Sequence, residues 1–334
     1  LSHLKNGLLI INKDKTIIFS DALSQEIMEL SEAPVSKKFS EITSDTTFLN
    51  IIEKALDTFQ VESDEFSPSW NEHKRIFLKA QPFSTEAEDG LIVTMLDLTN
   101  LRRLEGLQRE FVANVSHELR TPLTSIKMSA ESLQLGAISD ERMRNKFLSN
   151  IQREADRLTR LVNELLILAN LDNKVTLHLS QFDPVELLSD VVTVMRHHAD
   201  LNDITLVDDF PEDLPLMEAD KDRIQQVLIN LTDNAIKCNR QNGKVTLFAR
   251  QNGNFLEVKV VDTGIGIQKV DLTRIFDRFF RVDKSRSRVT GGTGLGLSIV
   301  KDIIVAHGGN IHVESEIDVG TTFVILLPLS QSTK

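Results

Sequence analysis

Two long stretches with apolar residues at three- and four-residue spacing, and no strand signal between them, constrain this chain more than any other feature. Leu101, Leu104, Leu107, Phe111, Val115 and Leu119 fall on one face of a helix. Leu148, Ile151, Ala155, Leu158, Leu161, Leu165 and Leu168 fall on one face of another. The turn between them is expected around Gly136–Asp140, with Ser139 or Asp140 capping the second helix. One helical hairpin cannot cover both of its apolar stripes. Two copies can, as a four-helix bundle, so a two-fold homodimer through residues 101–172 is the economical expectation.

The flanking regions alternate between strand and helix signals. In about residues 1–100, Gly7–Ile11 and Thr16–Phe19 read as a hairpin, Ala22–Leu30 as a helix capped by Asp21, and Phe48–Phe59 as a second helix. Arg75–Pro82 and Leu91–Leu96 read as further strands of a small α+β domain. In residues 173–334, Val175–Leu179 reads as a strand, and Asp183-Pro184 opens a helix to about Ala199. Asp220–Cys238 is another helix, Lys244–Arg250 and Phe255–Val261 are a hairpin, and Leu295–His307 is a helix. Asn310–Ser315 and Thr321–Leu327 make a closing hairpin. The chain is therefore read as three domains, at 1–100, 101–172 and 173–334.

Composition excludes several classes. With 334 residues, 41% hydrophobic and 26% charged, the chain is globular rather than disordered. Its apolar runs, such as Leu165–Ala169, are far short of the roughly 20 residues a membrane helix needs. The single cysteine, Cys238, permits no intramolecular disulfide and suits a reducing compartment. A net charge of −11 argues against direct nucleic-acid binding through the whole surface. The histidines show no metal-ligand spacing. The chain opens on Leu1, so it is expected to be an excerpt of a longer protein.

Residues 111–123 read Phe-Val-Ala-Asn-Val-Ser-His-Glu-Leu-Arg-Thr-Pro-Leu. A neutral imidazole is a competent nucleophile if a neighbour takes up its ring proton, and Glu118 adjoins His117. Pro122 cannot donate to the carbonyl of Glu118, so a kink is expected just past His117, exposing its side chain. Farther on, Asn230 and Asn234 lie one helical turn apart, with Lys237 three residues beyond. Amide oxygens so placed can hold a hard cation such as Mg²⁺ that bridges phosphates. Asp262-Thr263-Gly264-Ile265-Gly266 ends a strand, and Gly292-Thr293-Gly294-Leu295-Gly296-Leu297 opens a helix suited to phosphate. Between them lie Arg278, Arg281, Lys284, Arg286 and Arg288. The glycine pattern is neither a Walker A loop nor a Rossmann fingerprint.

The first segment resembles the phospho-acceptor motif of sensor histidine kinases. The later clusters resemble the N, G1, F and G2 boxes of the ATP-binding fold shared by histidine kinases, Hsp90 chaperones, gyrase and MutL. The resemblance implies that His117 is phosphorylated from ATP with Glu118 as base, and that Glu118 with Thr121 dephosphorylates the partner. It implies Asn234 as the Mg²⁺ ligand with Asn230 in support, and Asp262 on the adenine amine with Thr322 assisting through water. Gly264 and Gly266 would shape the base pocket. Gly292, Gly294 and Gly296, with Leu297, would meet the phosphates. Phe279 and Phe280 would anchor a lid whose basic residues, Arg281 among them, face the phosphates. Where the family usually has an aromatic after the N-box lysine, this chain has Cys238, which implies ATP binding weakened several-fold. Cys238 itself reads as a small buried hydrophobe, and His307 as a helix cap.

Val93-Thr94-Met95-Leu96-Asp97-Leu98-Thr99 is similar to the closing strand of PAS sensory domains. The implied fold is multidomain: an α+β PAS-like domain, a helical hairpin forming a dimeric four-helix bundle, and an α/β sandwich of the GHKL type. The implied protein is the cytoplasmic part of a membrane-anchored bacterial sensor, near the phosphate-responsive or cell-wall-regulating kinases. Its membrane segments would precede this excerpt, its ATP domain would hinge near Leu171–Lys174, and it would pass phosphate to an aspartate of a response regulator. The alternatives are a phosphatase-dominant protein or a nucleotide-gated dimeric scaffold with weak catalysis.

Overall fold

The computed structural model describes residues 6–86, 88–172, 177–282 and 293–330, with the backbone alone at 169–172. The chain divides into two compact units, Leu1–Val112 and Ala113–Lys334.

The first unit is built on five strands, β1 (Asn6–Asn12), β2 (Ile17–Ser20), β3 (Glu62–Phe66), β4 (Ile76–Ser84) and β5 (Asp89–Asp97). They form an antiparallel sheet in the order β2-β1-β5-β4-β3. The helices are α1 (Ala22–Met28), α2 (Phe39–Ile42) and α3 (Thr46–Thr58). Strand alternation puts Leu9 and Ile11 into the core, where they join Phe39, Phe48, Ile52, Leu78 and Val93. Asp21 caps α1, its Oδ1 accepting from Ser24 N at 2.7 Å and from Leu8 N at 3.0 Å. Periodicity finds both helices of more than one turn. It misses β3, whose Glu-Ser-Asp-Glu run buries only Phe66, because an edge strand solvated on most positions carries no apolar alternation. At the end of β5, Asp97 Oδ1 accepts from Thr99 N at 2.9 Å, and Thr99 Oγ1 accepts from Arg75 N at 3.0 Å, fixing the start of the next helix.

That helix, α4 (Thr99–Gln134), crosses the division between the units. With α5 (Glu141–Asp172) it forms the expected hairpin. A single 3₁₀ turn at Ala137–Ser139 joins them, and Asp140, rather than Ser139, caps α5 by accepting from Met143 N at 3.0 Å. Pro122 does not break α4. The helix continues on both sides of a buried proline ring.

Beyond the hairpin come two short strands, β6 (Ser180–Phe182) and β8 (Met217–Ala219), which pair as a small ladder. The larger sheet is made of β7 (Thr205–Asp209), β9 (Lys244–Asn252), β10 (Phe255–Asp262), β11 (Asn310–Glu316) and β12 (Gly320–Pro328). Its order is β11-β12-β10-β9-β7, and all pairings are antiparallel except β7 with β9. The strand expected at Val175–Leu179 is displaced: residues 177–179 are irregular and pairing starts at Ser180, where Phe182 can reach the core; 175 and 176 lie outside the described residues. Helix α7 (Lys221–Lys237) packs against α6 (Pro184–Asp200), against α8 (Gly296–Ala306) and against β9 and β10. Asp183 and Asp220 cap α6 and α7 as a Pro-bearing and an acidic first turn require.

His307 ends α8, fully buried. Its Nδ1 bonds to Ile303 O at 2.8 Å, and its Nε2 accepts from Asp220 N at 3.1 Å, so the neutral ring joins the end of α8 to the start of α7. Burial lowers its pKa against the pull of those partners.

Candidate functional site

Helix α4 places His117 and Thr121 on the same exposed face, one turn apart. Between them Glu118 is half-buried, because Arg157 reaches across from α5 and donates to Glu118 Oε2 at 2.9 Å. Glu154 stands 3.9 Å from the same guanidinium. The residue beside His117 is thus held by the opposite helix, a cross-link that spacing along α4 alone does not reveal. Thr121 Oγ1 donates to the carbonyl of His117 at 3.2 Å, so this hydroxyl is folded onto its own helix.

The second cluster gathers at one end of the sandwich. Asp262 closes β10 and is 6% exposed. Its Oδ1 accepts from Gly264 N at 2.8 Å and from Thr321 N at 3.2 Å. Oδ2 makes no hydrogen bond among the described residues, which leaves it able to accept one. Burial raises the Asp262 pKa, and the two backbone donors oppose that rise. Thr321, not Thr322, makes the protein contact to this carboxylate. Thr322 is half-buried and paired with Val261 in the ladder. A backbone donor carries no sequence signature, so nothing in the motif points to Thr321.

The glycines have steric reasons. A Cβ on Gly264 would lie 2.3 Å from Cys238 O, and Gly266 takes φ +69. Gly294 takes φ +76, and a Cβ there would lie 2.9 Å from the backbone of Phe279. Phe279 itself adopts φ +63, and its N–H donates to Gly294 O at 2.9 Å. Its clasp on the glycine segment therefore runs through the backbone. Phe276 packs edge-on to Phe323 of the sheet at 6.4 Å, while Phe280 lies under Arg274 at 4.5 Å. Arg278 pairs with Asp302 at 3.5 Å, and Arg281 is half-buried. Gly292, Lys284, Arg286 and Arg288 lie outside the described residues, as do 173 and 174 of the expected hinge.

Asn230 and Asn234 share one face of α7, both half-buried. Nδ2 of Asn230 is buried without a hydrogen-bond partner and lies 4.0 Å from where a Cβ on Gly296 would stand. An orphaned amide beside a glycine-opened helix suits a polar ligand, and the two amide oxygens suit a hard cation completed by phosphate and water. Lys237 is not a free charge: its ammonium pairs with Asp233, which also stands 3.3 Å from His198 Nδ1. Leu297 is half-buried on the first turn of α8. Cys238, expected to be buried, is exposed at the C-cap of α7, with its carbonyl accepting from Ile265 N at 3.1 Å.

Two families match parts of this chain. The family described as His Kinase A (phospho-acceptor) domain matches residues 107–174. The family described as histidine kinase-, DNA gyrase B-, and HSP90-like ATPase matches residues 219–331. The sensor protein kinase WalK of Staphylococcus epidermidis is 35% identical over 339 residues, covering 98% of this chain and 54% of that protein. WalK of Staphylococcus saprophyticus is 39% identical over 284 residues, covering 82% of this chain and 46% of its own. The chain thus spans about half the length of these curated relatives. Among solved structures, the Acinetobacter baumannii histidine kinase AdeS matches at TM-score 0.52 and 28% identity, over 64% of this chain and 98% of its own. Full-length ShkA, solved with AMPPNP, matches at TM-score 0.51 and 30% identity, over 67% of this chain and 47% of its own. For fold alone, ThkA matches at TM-score 0.57 and 23% identity, over 98% of this chain and 97% of its own.

Proposed function

Because this chain belongs to the sensor histidine kinases, we propose that it phosphorylates its own His117 from ATP and passes the phosphoryl group to an aspartate of a response regulator. The observation that carries the reading is the exposed His117 beside a Glu118 that Arg157 holds in place. In the step proposed, a ring nitrogen of His117 attacks the γ-phosphorus and the bond to the β-γ bridging oxygen breaks. ADP leaves with the electron pair, and Glu118 takes the proton of the other ring nitrogen. Arg157 fixes the carboxylate that receives that proton.

In the nucleotide region, Asp262 Oδ2 would accept from the adenine amine, with Gly264 and Gly266 keeping side chains out of the base pocket. Thr322 would assist through water. Gly292, Gly294, Gly296 and Leu297 would meet the phosphates at the start of α8, with Phe279 and Arg281 beside them. Asn234, supported by Asn230, would hold Mg²⁺, which neutralises phosphate charge when bound. Lys237 would add charge once drawn from Asp233. Glu118 and Thr121 would also orient water on a phospho-aspartate, which requires the Thr121 hydroxyl to leave the His117 carbonyl.

The same proposal includes a homodimer through residues 101–172, a PAS-like sensory domain at 1–100 and an ATP domain at 173–334. The five-stranded antiparallel sheet of the first unit and the Asp97–Thr99 link support the sensory reading. Among the described residues no helix is long and apolar enough to cross a membrane, and any membrane anchor is proposed to lie in sequence outside this chain.

Labelling with γ-labelled ATP and Mg²⁺ tests the reading. An acid-labile, alkali-stable label that is lost in His117→Gln is the expected result. Absence of label in the unaltered chain despite nucleotide binding would replace kinase with phosphatase or scaffold, and label retained by the variant would move the acceptor elsewhere.

A further inference from the structure

Glu164 lies on α5, outside both clusters just described. Its carboxylate accepts a hydrogen bond from Oγ1 of Thr293, a residue 129 positions away that directly precedes Gly294. Thr293 is 7% exposed. The same hydroxyl oxygen accepts from Leu295 N at 3.3 Å, so the contact reaches the backbone donors that open α8. Leu161 and Leu168, one turn to either side of Glu164 on the same helix face, are almost wholly buried. Helix α5 packs against α8. Burial raises the Glu164 pKa, with Arg160 and Lys237 lowering it and Asp233 adding to the rise.

A carboxyl group is therefore inserted at the start of a glycine segment and helix N-terminus, a place whose donors suit an anion. The Thr293 hydroxyl has one hydrogen, and Glu164 holds it. A phosphate arriving at the same segment meets a like charge and a donor already engaged.

We propose that Glu164 is an internal competitor of the nucleotide phosphates: its bond to Thr293 holds the start of α8 against α5, and phosphate binding releases it. The proposal rests on the ATP reading above. Linkage makes the effect reciprocal, so whatever weakens the Glu164–Thr293 contact tightens nucleotide, and nucleotide frees the α5 face that carries Leu161, Glu164 and Leu168.

Titration calorimetry on the full chain, with Mg²⁺ and either AMPPNP or adenosine, tests it. Glu164→Gln keeps the size and a hydrogen-bonding oxygen but removes the charge; Glu164→Ala removes both. AMPPNP is expected to bind about threefold to tenfold tighter to Glu164→Ala, with Glu164→Gln between it and the unaltered chain. Adenosine, which has no phosphate, is expected to bind all three alike. Equal AMPPNP affinity in the three proteins overturns the competitor, and so does an equal gain for adenosine, which would reflect general loosening. Binding of neither ligand by the unaltered chain overturns the ATP reading instead, a failure distinct from the other two.

Discussion

In the hairpin, His117 and Thr121 stand on an exposed face, and Leu123 and Met128 are each 62% exposed. In the sandwich, Asp262 is 6% exposed and sits above a core that includes Val258, Val260, Leu231 and Ile299. The hairpin keeps His117 accessible and leaves apolar side chains exposed, which the proposed homodimer would cover. The sandwich completes its own core and uses it to desolvate one carboxylate, whose hydrogen bonds gain strength away from water. Under the proposed function, the group that meets a macromolecular partner sits on a helix surface, and the group that reads a small base sits at a strand end.

Three changes test that contrast. The largest effect is expected from Leu119→Glu combined with Leu123→Glu, one turn apart on the apolar face of α4. Placing charges on the bundle seam should cost several kcal/mol of association, by the order of a transfer of two buried side chains reversed, about 2–3 kcal/mol each. Sedimentation should show a monomer, while AMPPNP affinity stays unchanged because the sandwich core is its own. A dimer that survives would mean the seam lies on another face.

Next comes Asp262→Asn, which leaves the adenine amine facing a donor in place of an acceptor. Nucleotide affinity should fall by about 2 kcal/mol, with the dimer intact. The pH dependence follows from the raised pKa of Asp262. The ionised carboxylate is the form that accepts from the amine, so affinity in the unaltered chain should decline as pH falls through that raised value. The amide in the variant cannot titrate, so its affinity should be flat over the same range. Parallel profiles would remove Asp262 from the recognition role.

The smallest effect is expected from Cys238→Tyr. An aromatic at the exposed end of α7 should add stacking of about 1 kcal/mol, tightening nucleotide several-fold. No gain would mean that the base does not reach the α7 cap.

Much of this architecture is legible in the chain's local patterns, and unevenly so. The hairpin helices, the cap at Asp21, and the strands around Gln251-Asn252-Gly253 follow from periodicity and turn chemistry within a few residues. The glycines that follow Asp262 are recognisable as a place where backbone must approach closely, and the clash each avoids gives the reason. The edge strand β3 is not readable, since its exposed positions are mostly charged. Nor is the parallel pairing of β7 with β9, because a parallel ladder depends on elements far apart in sequence.

Local spacing and side-chain chemistry suffice to say where most helices begin and end. They also point to residues that could act as nucleophile, base and cation ligand, and they lead to the expectation that the hairpin pairs with a second copy. Other features exist only once the chain is folded: Arg157 holds Glu118, Thr321 rather than Thr322 reaches Asp262, Cys238 is exposed, and Glu164 meets Thr293. Each depends on residues from separate elements, and the chain brings such elements together only when their apolar faces are buried against one another.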